Sequence, residues 1–196
     1  MKQALIIFAR KPEKGKVKTR LAAQIGEEQA LTVYIRLLEH TRAVASAYPC
    51  DKYVFLTDEV ADVFWKDFYV ERQADGDLGE RMSAAFQLLF DKGYQQVVII
   101  GSDCPVFSIN HLNEAFAALY DVDVVIGPAT DGGYYLLGMK LLYSELFLNK
   151  TWSTDRVLRD TIYSINELQL TFQQLEPLTD VDEATDLPEG WMEVVR

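Results

Sequence analysis

Three kinds of residue in this chain have the types and spacing to do chemistry: a cluster of cations near its start, aspartates set in turns, and glycines where backbone can approach a ligand. Asp103 lies in GSDCP, straight after the apolar run 97–100, and Pro105 keeps the following helix from starting early. A carboxylate presented at the end of a buried strand can ligate Mg²⁺ or Mn²⁺, and the ion then neutralises phosphate oxygens. The same residue would also serve as a plain turn cap. LTDVDEATDL, residues 178–187, supplies Asp180, Asp182 and Asp186. One of these could complete a metal pair with Asp103 if the fold brings them together, which spacing alone does not show.

The first twenty residues hold Lys2, Arg10, Lys11, Lys14, Lys16, Lys18 and Arg20 against Glu13 alone, a charge of +6 that leaves −17 on the rest of a chain at −11. An acidic body argues against nucleic acid as partner, while a concentrated basic loop suits a small polyanion such as a nucleotide phosphate. A solvated surface loop is the alternative. The loop is not a Walker A motif: Val17 follows Gly15-Lys16 where Ser or Thr is required, and the upstream glycine position falls on Arg10. The dinucleotide fingerprint GxGxxG is absent as well. What remains is a Gly15-containing loop of ammonium and guanidinium groups, in which Lys18 and Arg20 are the foremost phosphate ligands, with Arg10 and Lys11 beside them. Lys18 and Arg20 lead toward a long predicted helix, whose N-terminal dipole would add to the attraction.

In TDGGYYLLG, residues 130–138, Gly132 and Gly133 form a tight turn with Asp131 and Tyr134 on either side. Asp131 could orient or deprotonate an acceptor hydroxyl, and the glycines could admit a ligand or simply close a hairpin. In GDLGERM, residues 76–82, Gly79 could bring backbone N–H groups to an anion or only ease a tight helix start. Arg81 is placed to add a cation or to form a surface salt bridge. His40 and His111 have no partner pattern for triad or zinc chemistry. Cys50 and Cys104 are expected as reduced thiols, and Trp152 as a packing anchor.

These residues need a scaffold, and the chain offers one. Strand-like apolar runs at 4–9, 52–57, 97–100, 122–126, 134–139 and 170–175 alternate with helical patterns at 27–47, 79–92, 109–120 and 154–166, with Ser108 and Ser153 as N-caps. The alternation predicts an α/β sandwich with a mostly parallel sheet flanked by helices, in one domain over residues 1–196. In such sheets ligands lie beyond the carboxyl ends of the strands, which is where the four reactive segments fall. A chain that is 49% hydrophobic can fill both faces of the sheet. No apolar run approaches a membrane span and no leader peptide is evident, so a cytoplasmic protein is expected.

FARKPEKGKVKTRLA, GDLGERM, GSDCP, GPATDGGYYLLG and DVDEATDL, in this order, resemble the bacterial radical-SAM/selenodomain-associated transferases of glycosyltransferase-A-like, Rossmann-like fold. That family resembles a branch of the nucleotide-diphospho-sugar transferase superfamily, near the molybdenum-cofactor and phospholactate guanylyltransferases. The resemblance implies that Lys18 and Arg20 contact nucleotide phosphates, that Asp103 and Asp182 hold Mg²⁺ or Mn²⁺, and that Asp131 lies on the acceptor side. It implies a nucleotide sugar or nucleoside triphosphate donor and a small-molecule acceptor. Glycosyl transfer is the expected reaction, with nucleotidyl transfer and non-catalytic nucleotide binding as alternatives. A homodimer would serve to cover an otherwise open acceptor side.

Overall fold

The computed structural model describes residues 1–57 and 63–191. Among these residues seven strands form one sheet: β1 (Gln3–Ala9), β2 (Asp51–Leu56), β3 (Tyr69–Arg72), β4 (Gln96–Ile100), β5 (Val124–Pro128), β6 (Tyr134–Met139) and β7 (Phe172–Gln174). Their order is β3-β2-β1-β4-β6-β5-β7, and β6 alone runs antiparallel to its neighbours. Among the described residues five α-helices connect them: α1 (Thr19–Ile25), α2 (Glu27–Ala47), α3 (Leu78–Asp91), α4 (Ile109–Asp121) and α5 (Val157–Glu167). The expected helix-flanked, mostly parallel α/β sheet is what the chain adopts.

Strand side chains alternate between faces, so each central strand feeds two cores. On one face Leu5, Ile7, Val54, Val98 and Val125 pack under Tyr34, Leu38, Leu112 and Phe116 of α2 and α4. On the other, Ile6, Phe55, Val97, Ile99 and Ile126 meet Met82, Phe86 and Leu89 of α3 and Ile165 of α5. β4 and β5 are buried along their whole length, as central strands covered on both sides must be.

Several predicted boundaries shift for identifiable reasons. Val122 ends α4 instead of starting a strand, its N–H returning to the Ala118 carbonyl at 2.9 Å. Ser108 does cap α4, and its N–H donates to His111 Nδ1 at 2.9 Å. Ser153 does not cap α5: it sits at φ 61°, and the helix begins four residues later, at Val157, with Arg156 as its N-cap. The helix facing the basic loop is not the long α2 but the seven-residue α1, and α2 carries Glu27 and Glu28 in its own first turn. Those carboxylates use the α2 dipole, so its expected help to a phosphate is withdrawn. Among the described residues no helix is long and apolar enough to cross a membrane.

Candidate active site

Two distant parts of the chain are tied together at the carboxyl edge of the sheet. Thr130 N–H donates to the Leu178 carbonyl and Leu178 N–H to the Pro128 carbonyl, both at 3.0 Å, which lays residues 178–182 along the end of β5. Val181 N–H then donates to the Asp103 carbonyl at 3.0 Å. The fully buried Val181 side chain packs among Leu21, Ala30, Val33 and Leu37 of α1 and α2. This apolar plug is what seats Asp182 beside Asp103.

Lys18 completes the cluster. Its side chain is only 5% exposed, and Nζ lies 3.0 Å from Asp103 Oδ1 and 3.8 Å from Asp182 Oδ1. Arg20, well exposed, reaches Asp182 Oδ2 at 3.1 Å. The ammonium contact to Asp103 is ionic but lies outside hydrogen-bonding geometry, so the buried Oδ1 accepts no hydrogen bond from any described residue. A buried carboxylate oxygen without a hydrogen bond, facing a second carboxylate, fits a hard divalent cation. No group of three or more His, Cys, Asp or Glu among the described residues is arranged to hold one alone. Bound ligand and water oxygens would have to complete the shell.

The cluster stands where two cavities meet, and their walls differ in charge. The smaller, about 420 Å³, is lined by Arg10, Lys18, Arg20 and Arg81 against Asp103 and Asp182. The larger, about 530 Å³, has Asp131, Asp155 and Asp180 in addition to Asp103 and Asp182, and Arg20 is the one cation among its described lining residues. Tyr134, Tyr135, Phe107 and Trp152 form its apolar walls.

The predicted residues divide accordingly. Arg10 lines the smaller cavity, and its backbone is pinned by Tyr34, whose hydroxyl accepts from Arg10 N–H at 2.8 Å and lies 3.1 Å from its carbonyl. Burial pushes the Tyr34 hydroxyl up to about 12, so it stays neutral. Lys11 is drawn away: it pairs with Glu13 at 3.3 Å, beside Lys16 at 2.5 Å, and does not line either cavity. Hydrogen bonds from the Lys16 and Lys11 ammonium groups, and then their charges, hold the Glu13 carboxyl below its usual range.

Asp131 and Gly133 line the larger cavity, and Gly133 N–H donates to Asp131 Oδ1 at 2.8 Å, fixing the carboxylate. Gly132, at φ 92°, approaches protein and not cavity: a Cβ there would lie 2.2 Å from the Asp155 carbonyl oxygen. Tyr134 contributes a cavity wall, with its hydroxyl 3.9 Å from Met82 Sδ and its ionisation suppressed by burial. Gly79 is covered by the Trp152 indole, whose ring a Cβ would meet at 2.5 Å. The anchor expected of Trp152 is thus present and also walls the cavity. The first turn of α3 is closed by Asp77 and Glu80, each accepting the other's backbone N–H at 2.9 and 2.8 Å. The pattern Asp-x-x-Glu announces that capping box in the sequence.

Two site residues escaped sequence reasoning. Gln73, after the short edge strand β3, is buried and lines the smaller cavity, its amide nitrogen donating to the Phe55 and Ala9 carbonyls at 3.0 and 3.3 Å. Asp155 carries no motif. Asp180, one of the three aspartates that the sequence offers as partners for Asp103, lines the larger cavity, and its carboxyl is pushed up to about 6, first by burial and then by the Asp131 charge. Neither histidine forms a hydrolytic site: His40 Nε2 lies 2.7 Å from the Phe107 carbonyl, and His111 joins Ser108 to Glu176 as part of the α4 cap.

The profile of a family described as an uncharacterized protein conserved in bacteria (DUF2064) matches residues 39–154, more than half of the chain. The chain belongs to the DUF2064 family. The segment that defines DUF2064 here contains GDLGERM, GSDCP and TDGGYYLLG, while the basic loop and residues 178–187 lie outside it. A crystal structure from Desulfovibrio desulfuricans G20, provisionally assigned as a nucleotide-diphospho-sugar transferase, is similar at 30% identity and TM-score 0.88. The match covers 97% of this chain and 90% of that one. The fold is shared more distantly with 4-diphosphocytidyl-2C-methyl-D-erythritol synthase from Anaerococcus prevotii DSM 20548, at TM-score 0.65 and 10% identity over 100% and 96% of the two chains. It is shared also with a CMP-2-keto-3-deoxy-manno-octonic acid synthetase complexed with CTP, at TM-score 0.62 and 10% identity over 99% and 98%. No curated protein matches the chain in sequence.

Proposed function

We propose that this protein is a transferase that uses a nucleotide-activated donor, and that it moves a glycosyl group from a nucleotide sugar to a small, uncharged, hydroxyl-bearing acceptor. One observation carries the reading: the cluster of Lys18, Arg20, Asp103 and Asp182 stands at the junction of a cation-lined cavity and a carboxylate-lined one. The cationic half, with Arg10 and Arg81, suits a diphosphate. Asp103 and Asp182 would hold Mg²⁺ or Mn²⁺, which neutralises charge on the departing diphosphate. Arg20 and Lys18 share that task from the protein side.

In the other half Asp131 gives Oδ1 to the Gly133 amide and keeps Oδ2 for an acceptor. The acceptor oxygen attacks the anomeric carbon, the bond from that carbon to the phosphate oxygen breaks, and Asp131 takes the hydroxyl proton. This is an inverting displacement.

Nucleotidyl transfer is the second reading, favoured by the cytidylyl-transferring proteins that share the fold. In that reaction an acceptor phosphate attacks the α-phosphorus of a nucleoside triphosphate. Three carboxylates, Asp131, Asp155 and Asp180, line the half where that phosphate would sit, which weighs against it. Thermal shift tests the choice, because a ligand that binds the native state raises its melting temperature. UDP, GDP, CDP, their sugar conjugates and the triphosphates are to be compared with and without Mn²⁺. Glycosyl transfer predicts a metal-dependent shift with a diphosphate or sugar nucleotide that Asp103→Asn abolishes without unfolding the protein. A preference for a triphosphate favours nucleotidyl transfer, and a metal response unchanged in Asp103→Asn refutes the role given to Asp103.

A further inference from the structure

Lys18 does more than line a phosphate site. A buried ammonium needs counter-charges, and this one finds them in the two carboxylates assigned above to the metal. Its backbone is left-handed, φ 48° and ψ 49°, a conformation that non-glycine residues keep only where the surroundings enforce it. The enforcement is local: Lys18 is the N-cap of α1, its carbonyl accepts Ala22 N–H at 2.7 Å, and α1 packs through Leu21 on α2. The fold therefore spends a strained residue to aim an ammonium between Asp103 and Asp182.

A divalent ion and an ammonium cannot share the one position between the two carboxylates, since cations 3–4 Å apart repel each other and the buried Lys18 stem leaves its ammonium little room beside the ion. We propose that Lys18 is the resident cation of the metal site: its ammonium holds Asp103 and Asp182 in place, and a divalent ion enters only when nucleotide phosphates draw the ammonium away. The inference rests on the reading of Asp103 and Asp182 as metal ligands. Two features make the exchange possible. The contact to Asp103 Oδ1 lacks hydrogen-bond geometry, so no directional bond retains the ammonium. Lys18 also lines the smaller cavity together with Arg10 and Arg81, so arriving phosphate oxygens offer it new partners. Metal and nucleotide then bind cooperatively, each raising the affinity of the other by the same factor.

The experiment measures Mn²⁺ binding by the loss of the free-ion EPR signal, for the wild type, Lys18→Met and Lys18→Arg, alone and with UDP, GDP or CDP. Wild type and Lys18→Arg are expected to bind Mn²⁺ weakly alone and more tightly with a diphosphate. Lys18→Met, which is apolar and of similar length, should bind Mn²⁺ alone about tenfold or more tightly than wild type, because the competing charge is gone. Mn²⁺ alone should also raise the melting temperature of Lys18→Met and leave that of wild type unchanged. Lys18→Met binding Mn²⁺ alone no better than wild type overturns the inference. If circular dichroism shows that Lys18→Met does not fold, the neutral Lys18→Gln is read in its place by the same criterion. Failure of all the proteins to bind Mn²⁺ with every diphosphate overturns the metal reading itself, and the inference falls with it.

Discussion

Replacing Gly79 by alanine sets two physical effects of opposite sign against each other. Gly79 lies in the first turn of α3, and alanine in a helix is favoured over glycine by about 0.5–1 kcal/mol. A Cβ at this position, however, falls 2.5 to 2.6 Å from three atoms of the Trp152 indole. Overpacking of that kind costs about 1–3 kcal/mol, so Gly79→Ala should be destabilising by about 1–2 kcal/mol. For a chain of this size that corresponds to a drop in melting temperature of about 2–8 °C. An indole displaced into the cavity it walls would narrow the half proposed for the acceptor, so acceptor affinity should fall along with stability. A double-mutant cycle makes the test sharp. With Trp152→Ala in place the clash is gone, and Gly79→Ala should become stabilising by about 0.5–1 kcal/mol. If Gly79→Ala stabilises the protein while Trp152 is present, or if the cycle shows no coupling, the packing argument is wrong.

Gly132→Ala meets backbone instead of a side chain, the Asp155 carbonyl at 2.2 Å, and holds a positive φ as well. It should cost about 3 kcal/mol or more and be read as a melting temperature lower by about 6 °C or more. A loss below 1 °C would show that the turn tolerates a Cβ. Asp180→Asn removes a carboxylate whose pKa is raised to about 6, chiefly by burial. Because the folded protein binds this proton more tightly than the unfolded chain, wild-type stability declines as pH rises from about 4 through 6. The variant should therefore gain about 1 kcal/mol over wild type at pH 7.5, after allowance for solvent screening, and little at pH 4.5. An equal difference at both pH values would refute the assignment. Burial raises the thiols of Cys50 to about 12 and of Cys104 to about 11. Ellman's reagent at pH 8 should label neither rapidly in the native protein and both after denaturation, and prompt native labelling would contradict the burial of Cys104 or the raised thiol of the half-buried Cys50.

Much of the scaffold was legible because its signals are local. α2 occupies the predicted 27–47 without a shift, since its amphipathic period and the preceding Gly26 are both contained in the segment itself. The strands through 4–9 and 97–100 are continuous apolar runs of the kind that only a strand covered on both faces requires. β3 was missed because a four-residue edge strand that is half polar carries no such run, and β7 shrank to three residues for the same reason. The antiparallel placement of β6 between β4 and β5 is a matter of pairing, which periodicity does not encode.

The site divides in the same way. Residue type and position at a strand end marked Asp103, and the charge imbalance of the first twenty residues marked Lys18 and Arg20, because these are properties of short segments. What each cation pairs with was decided in three dimensions. Lys11 and Lys18 look alike in sequence, yet one turns to Glu13 on the surface and the other is buried against Asp103. The glycines behave likewise: Gly79 and Gly132 are both explained by a contact partner, Trp152 and Asp155, that lies 73 and 23 residues away. The chain alone determined which groups were available and which strands would carry them, since those follow from composition and short-range pattern. The tertiary structure alone decided that Asp182 meets Asp103 and that cations and carboxylates separate into two cavities, because such meetings depend on burying Val181 between α1 and α2.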